Sequence, residues 1–142
     1  NGAISAATGD QVGTLWAYAQ EALRFRPQGI GIVRATRATS VATTLGGVAI
    51  PAGNLILASH QSAMMDEALV TQPSQFSLDR PASSYLHFGF ARNKCLGIDL
   101  APPIITEALR VILRLNNVRR PPQSKLKMGE AYPESFVLSY DS

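Results

Sequence analysis

The one cysteine of this 142-residue chain lies in a loop that can hold a metal ion by a thiolate. Gly89 and Gly97 flank Cys95, and Arg92 and Lys94 place positive charge beside it. A cysteine thiolate is a metal ligand, and nearby cations and backbone N–H groups stabilise its charge. A lone cysteine is also commonly a small buried hydrophobe. The surrounding residues must therefore decide between these two interpretations.

The sequence around the cysteine reads Phe88-Gly89, five further residues, then Cys95-Leu96-Gly97. This string resembles the haem-binding signature of the cytochrome P450 family. The resemblance implies that Cys95 is the axial thiolate ligand of a haem iron and that haem b is the cofactor. It also implies that other residues of the loop bind the cofactor, and these candidates are Phe88, Gly89, Arg92, Asn93 and Gly97.

Two further motifs occur in the order that this family has. Residues 21–24, Glu-Ala-Leu-Arg, are similar to its Glu-x-x-Arg pair, and Arg80 is similar to the arginine that completes the pair into a triad. A Glu–Arg pair spaced i, i+3 on a helix is commonly a solvated ion pair worth about 0.2–0.5 kcal/mol. The resemblance instead implies that Glu21, Arg24 and Arg80 form a buried structural triad. Its role would be to stabilise the cysteine loop, and no catalytic residue is assigned.

Arg37 precedes the segment from Gly46 to Gly53, and this whole stretch also matches the family pattern. By resemblance, Arg37 is the arginine that binds a haem propionate. A guanidinium suits that task because it donates two parallel hydrogen bonds to a carboxylate. An exposed arginine on an edge strand is the alternative.

The chain has two histidines, whose imidazole groups can bind metals. His60 is a candidate second metal ligand, but a histidine beside an apolar strand is commonly a hydrogen-bonded structural residue. His87 directly precedes the cysteine signature, at a position that the family leaves variable, and we assign it no catalytic role.

Three departures from the family pattern affect the expected site. Ala91 stands where the signature has glycine, so it must avoid a positive φ or accept strain. Asn93 stands where the family has a basic residue that pairs with a propionate, so a neighbouring basic residue is expected to compensate. The Pro-Pro pair at 102–103 is expected to interrupt and kink the following helix near its start.

Hydrophobic periodicity predicts an α+β arrangement. We expect a helix over residues 10–26, with Asp10 as its cap, strands between 29 and 60, a short helix over 62–70 and a longer helix over 96–115. The runs 48–50 and 55–57 are expected to pair through a type I turn at 50–53. The buried face of the first helix is expected to contain Leu15, Ala19, Ala22 and Leu23.

Composition excludes several classes of protein. With 46% hydrophobic and 16% charged residues, the chain has the make-up of a globular domain. The net charge of +3 comes without a basic stripe or recognition motif, which argues against nucleic-acid binding. Residues 38–65 carry no charged side chain, but glycines and a proline interrupt them, so a spanning helix is not expected. The compartment stays open, with the cytoplasm favoured.

The resemblance runs from about Asp10 to the tail and corresponds to the C-terminal part of the family's fold. We therefore interpret residues 1–142 as one C-terminal haem-binding segment of a fragment, a larger or fused protein, or a naturally reduced relative. The family's long distal helix has no counterpart here. A missing N-terminal region or a companion chain is expected to supply it.

Residues 20–28 and 117–136 are similar to the haem-thiolate domain of dioxygenase or peroxidase fusions that act on fatty acids. This resemblance implies a haem-thiolate oxidoreductase that monooxygenates a hydrophobic or lipid substrate, with a redox partner, or rearranges a hydroperoxide. The chain alone is not expected to be fully competent. The alternatives are a non-catalytic haem-binding module, such as a sensor, electron carrier or scaffold, and a degenerate fold without haem.

Overall fold

The computed structural model of the chain describes residues 12–36, 43–130 and 133–142. Three α-helices, three short 3-10 helices and eight strands lie within them, so the predicted α+β class is confirmed. The α-helices are α1 Val12–Phe25, α2 His60–Ala63 and α3 Ala101–Leu113, and the 3-10 helices are Ala82–Ser84, Ala91–Asn93 and Leu96–Asp99. The strands are β1 Ile32–Ala35, β2 Thr43–Leu45, β3 Val48–Ile50, β4 Leu55–Ala58, β5 Asn116–Arg119, β6 Lys127–Met128, β7 Pro133–Ser135 and β8 Ser139–Asp141.

The chain divides into two compact units, one formed by Asn1–Ala19 with Asp99–Ser142 and the other by Gln20–Ile98. The candidate site residues that the structure describes, including the cysteine and the proposed triad, all fall in the second unit.

Helix α1 confirms the predicted first helix. Leu15 and Ala19, spaced i, i+4, are both buried, and Leu15 packs against Leu113. Ala22, which was expected on the same face, is exposed. The helix ends before Pro27, which cannot donate a backbone hydrogen bond. The cap expected at Asp10 lies outside the described residues.

The strands of the second unit form two separate antiparallel pairs. Strand β1 pairs with β4, and β2 pairs with β3. The expected pairing of 48–50 with 55–57 is therefore wrong. The reason lies at Gly46 and Gly47, whose φ values of 56° and 80° provide the two positive angles that a two-residue hairpin turn requires. They connect β2 directly to β3.

Helix α2 is shorter than predicted and begins earlier. It spans only His60–Ala63, with the Ser59 side chain accepting the Ser62 backbone N–H at 3.1 Å as a cap. The chain then turns, because the Asp66 carboxylate accepts the backbone N–H of Ala68 at 2.9 Å. Such a local side-chain bond offers the backbone an alternative to helix, so the expected helix over 62–70 does not continue.

Helix α3 begins at Ala101, five residues later than predicted. Its two prolines lie in the first turn, where the missing N–H groups would have no helical partner in any case. The expectation that they interrupt a helix already under way is therefore wrong. Thr106 is buried and its hydroxyl donates to the Pro102 carbonyl at 2.6 Å.

The C-terminal residues form two antiparallel pairs, β5 with β8 and β6 with β7. An ion pair of 2.7 Å between Arg119 and Asp141 joins β5 to β8. Among the described residues, no helix has the length and apolar character needed to cross a membrane.

Candidate functional site

The loop that carries Cys95 is folded by its own backbone. The Cys95 N–H donates to the Phe88 carbonyl at 2.7 Å, and the Gly89 N–H donates to the Leu86 carbonyl at 2.8 Å. Gly89 has a φ of 76°, and a Cβ there would overlap the Asn93 carbonyl oxygen. Only glycine meets both conditions without strain. The glycine of the motif is thus required by the shape of the loop itself.

The cysteine side chain is exposed on this loop. This location argues against the interpretation of Cys95 as a small buried hydrophobe. In the described part of the chain, no three His, Cys, Asp or Glu side chains are grouped to hold a bare metal ion. One exposed cysteine sulfur, with no such group of donors among the described residues, fits a metal whose other ligands come from a macrocycle, as in haem. At Gly97, an added Cβ would make only an ordinary contact of 3.7 Å with the Cys95 sulfur.

Ala91 accepts backbone strain instead of avoiding it. Its φ is 49°, in the left-handed region that costs a residue with a Cβ about 1–2 kcal/mol. The residue opens the short 3-10 helix Ala91–Asn93, and its carbonyl accepts the Lys94 N–H at 3.1 Å. The departure from glycine at this position therefore leaves the loop conformation in place at an energetic cost.

An arginine that sequence reasoning missed lies against the cysteine loop. Arg34, on β1, donates from Nη2 to the Asn93 side-chain oxygen at 3.3 Å. Both residues are exposed, as are Arg92 and Lys94 in the loop. Arg37 lies outside the described residues. The sequence reads Arg-Ala-Thr twice in succession, at 34–36 and 37–39, and the spacing to Gly46-Gly47 favoured the second arginine.

A cavity of about 440 Å³ adjoins the loop. Mostly apolar groups bound it, and His60 and Asn93 add polar atoms to its wall. The His60 Nε2 lies 2.6 Å from the Gly29 carbonyl oxygen, which supports a structural role for this histidine over metal ligation. Ile32, Leu86, Gly89 and Phe90 also line this cavity.

Glu21, Arg24 and Arg80 come together in one cluster. The Glu21 carboxylate receives Arg24 Nη2 at 2.7 Å and Arg80 Nε at 2.9 Å. Glu21 and Arg24 side chains are 0% exposed, and that of Arg80 is 7% exposed. The Ser77 backbone N–H and the Tyr85 hydroxyl also donate to the carboxylate, at 3.1 and 3.2 Å. This is a buried network and not the solvated pair that the i, i+3 spacing alone would suggest.

The two arginines extend the cluster into the chain that follows α2. Arg24 donates to the Met64 and Gln75 carbonyls at 3.0 and 3.2 Å. Arg80 donates to carbonyls of residues 71, 72 and 75 at distances of 2.6 to 2.9 Å. The guanidinium groups thereby fix an irregular segment that has no helix or strand of its own.

These contacts shift two pKa values. Burial raises the pKa of Glu21, but hydrogen bonds from Arg24, Arg80 and the Ser77 N–H outweigh it and lower the pKa to about 2. Burial, together with the nearby charge of Glu21 and the hydrogen bond to it, raises the pKa of Tyr85 to about 12. Glu21 is therefore ionised and Tyr85 neutral across the physiological range.

His87 is held as a neutral residue. Its ring packs edge-on against Phe88 with centroids 4.9 Å apart, and neither buried ring nitrogen has a hydrogen-bond partner among the described residues. Burial, with a smaller contribution from the charge of His60, lowers the pKa of His87 to about 4. The sequence did not predict this burial, because a single histidine beside the cysteine motif belongs to no hydrophobic periodicity or motif that would indicate it.

Comparison with known proteins places this chain in a family. The family model described as Cytochrome P450 matches residues 8–140. Psi-producing oxygenase A of Emericella nidulans is 41% identical over 80 residues, which are 55% of this chain and 7% of that protein. A bifunctional dioxygenase (DOX)-epoxy alcohol synthase (EAS) of Pyricularia oryzae is 32% identical over 129 residues, 88% of this chain and 11% of that protein. The chain thus spans about a tenth of the length of these relatives.

The fold agrees with the sequence match. The structure of cytochrome P450 CYP109Q5 from Chondromyces apiculatus aligns with a TM-score of 0.78 and 27% identity, covering 96% of this chain and 36% of that one. The predicted partial P450 fold is therefore confirmed. The chain belongs to the cytochrome P450 family, whose cofactor is haem.

Proposed function

We propose that this chain binds haem b through the Cys95 thiolate and is the haem-binding part of a haem-thiolate oxidoreductase. The observation that carries the proposal is the exposed Cys95 side chain, on a loop fixed by the Phe88 carbonyl and by the left-handed Gly89. A loop of this kind would hold the sulfur at a defined place, as the sole protein ligand of a metal requires.

We assign the remaining contacts to residues around the loop. Arg34 and Asn93 form the candidate site for a haem carboxylate, since they already meet at 3.3 Å and both carry N–H donors. Further candidates for binding a haem carboxylate are Arg37, Arg92 and Lys94. Phe88 and the glycines of the loop would allow the flat face of the cofactor to approach. The cavity beside the loop offers an apolar wall for the cofactor edge.

The buried cluster has a supporting role in this proposal. Glu21, Arg24 and Arg80 would hold the segment between α2 and the cysteine loop in one conformation, without touching the reacting atoms. The carboxylate is fully hydrogen-bonded, with a pKa of about 2, so it has no tendency to exchange a proton near neutral pH. A positioning role for the cluster follows from this chemistry.

For the reaction, we propose rearrangement of a lipid hydroperoxide as the leading possibility. Haem, when bound, supplies the iron at which an O–O bond is cleaved, and a thiolate ligand favours that cleavage. The relative that aligns with 88% of this chain is named as a dioxygenase and epoxy alcohol synthase. A hydroperoxide and the epoxy alcohol formed from it contain the same atoms, so the reaction needs no electron donor.

Two experiments separate the candidates. The complete 142-residue chain is loaded with haem, reduced, and exposed to carbon monoxide, and the Soret band of the ferrous carbonyl is recorded. A strongly red-shifted band supports thiolate ligation, and its absence contradicts the proposal.

The second experiment tests the reaction. The loaded chain is given a fatty-acid hydroperoxide, or dioxygen with an electron donor. Conversion of the hydroperoxide to an isomeric epoxy alcohol supports rearrangement, and hydroxylation supports monooxygenation. Inactivity of this chain alone is expected from its partial competence, so a non-catalytic haem-binding module is favoured only if the chain stays inactive when it is joined to the N-terminal part of a cytochrome P450.

A further inference from the structure

The three methionines of the chain differ sharply in their surroundings. Met64 is 0% exposed, and its sulfur accepts the Leu86 backbone N–H at 3.2 Å. Met128 is 58% exposed on β6. Met65 lies between these extremes and is partly exposed. Oxidants that attack thioethers from solvent can therefore reach Met128 and Met65, while Met64 is enclosed.

Met65 is also in contact with the buried ion-pair cluster. The Arg24 Nη1 donates to the Met65 sulfur at 3.2 Å and to the Met64 carbonyl at 3.0 Å. Arg24 itself is wholly buried and pairs with Glu21. Met65 is thus a partly exposed residue whose sulfur touches the guanidinium on which the cluster depends.

We propose that Met65 is a site of reversible oxidation that controls the stability of the Glu21–Arg24–Arg80 cluster. The oxidant is hydrogen peroxide or an organic hydroperoxide. The terminal oxygen of the peroxide forms a bond to the Met65 sulfur as the O–O bond breaks, and the proton of that oxygen passes to the other oxygen, which leaves as water or alcohol. The sulfur loses two electrons and the peroxide gains them. Methionine sulfoxide reductases can return the sulfoxide to the thioether.

The consequence follows from the geometry of the contact. The peroxide adds its oxygen at the sulfur lone pair that Arg24 does not occupy, and the sulfoxide sulfur then carries a partial positive charge. That charge lies beside the Arg24 guanidinium, whose Nη1 is now 3.2 Å from the sulfur, so the N–H···S contact becomes repulsive. Arg24 is held by its bonds to Glu21 and to the Met64 carbonyl and has little freedom to yield. Oxidation should therefore loosen the segment that follows α2. This inference does not depend on haem binding.

Peptide mapping by mass spectrometry after graded hydrogen peroxide treatment tests the site. In the folded chain, Met128 and Met65 should be oxidised before Met64, whereas in guanidinium all three should react alike. Oxidation should lower Tm by about 2–4 °C. Reductases A and B for methionine sulfoxide should restore it, although they do not repair an oxidised thiol.

Met65→Leu and Met128→Leu are the matched variants. Leucine conserves the volume of methionine, and Arg24 keeps its Met64 carbonyl partner, so Met65→Leu should fold. Its Tm should respond less to peroxide than that of the wild type, while Met128→Leu should respond fully. Cys95 is present in all three proteins, so its oxidation cancels. Protection of Met65 at doses that oxidise Met128, or an equal Tm response in wild type and Met65→Leu, would overturn the proposal.

Discussion

Arg80 follows Glu21 by 59 residues, yet its Nε donates to Glu21 Oε1 at 2.9 Å, the same oxygen that Arg24 Nη2 contacts at 2.7 Å. One carboxylate oxygen thus joins two guanidinium groups from distant parts of the chain. Because all three side chains are almost fully enclosed, loss of the carboxylate would leave two cations in a region of low dielectric without their counter-charge. The stability of the second unit should depend on this one residue.

Glu21→Ala should lower the free energy of unfolding by about 3–5 kcal/mol, the usual cost of breaking a buried pair. The control is Glu107→Ala, which removes another i, i+3 partner of an arginine, but with side chains 55% and 27% exposed. That change should cost about 0.5 kcal/mol or less. Urea unfolding of both variants gives the comparison. Equal losses would show that the Glu21 cluster behaves as a surface pair.

Stability should fall on mild acidification because of His87. The pKa of His87 is about 4 in the folded chain against 6.5 for an ordinary histidine. Between these two pH values the unfolded state binds a proton that the folded state does not bind. The free energy of unfolding should therefore decline from pH 6.5 to about 4. Glu21, with a folded pKa of about 2 against 4.5, adds a further decline only below pH 4.5.

The test of this pH dependence is urea unfolding at pH 7.0, 5.5 and 4.5. His87→Phe keeps an aromatic ring against Phe88 and removes the titrating group, so its stability should vary less over this range. His60→Gln serves as the control and should keep most of the decline. An equally steep decline in His87→Phe would assign the effect to other groups.

Sequence patterns predicted those features that depend on local spacing. Helical periodicity predicted the burial of Leu15 and Ala19. The motif from Phe88 to Gly97 predicted the cysteine loop, which is closed by the hydrogen bond from the Cys95 N–H to the Phe88 carbonyl. Strand pairing was beyond this reasoning, since the order of the hairpins depends on two positive φ values at 46–47. The role of Arg34 was likewise beyond local spacing, because its contact with Asn93 joins residues that are 59 positions apart.

The strain at Ala91 predicts a stabilising substitution. Ala91→Gly should raise the free energy of unfolding by about 1 kcal/mol, because glycine adopts a φ of 49° without a Cβ clash but loses more conformational entropy on folding. Gly89→Ala is the contrasting variant, since its Cβ would overlap the Asn93 carbonyl oxygen. It should be strongly destabilising. A neutral or destabilising Ala91→Gly would show that the loop relaxes around the alanine.

Arg34 should matter for haem retention. Arg34→Ala removes the guanidinium beside Asn93 and, with it, a donor for a haem carboxylate, so haem affinity should fall by about tenfold or more. Arg26→Ala removes an exposed arginine of the same unit and should leave haem affinity unchanged. Haem titration followed by absorption measures both. Equal affinities would exclude Arg34 from the cofactor site and favour Arg37 for that role.

The ligand itself is tested by Cys95→His. Imidazole also binds haem iron, so this variant should retain some haem, but it should lose the red-shifted Soret band of the ferrous carbonyl, because that band depends on the electron density of the thiolate. Arg26→Ala is the control, because this exposed residue of the same unit lies outside the cysteine loop and its loss should leave the band in place. A Cys95→His spectrum identical to that of the wild type would mean that another group binds the iron. Because Cys95 is the only cysteine in the chain, no second thiolate could replace it, and the proposed haem-thiolate chemistry would have to be abandoned.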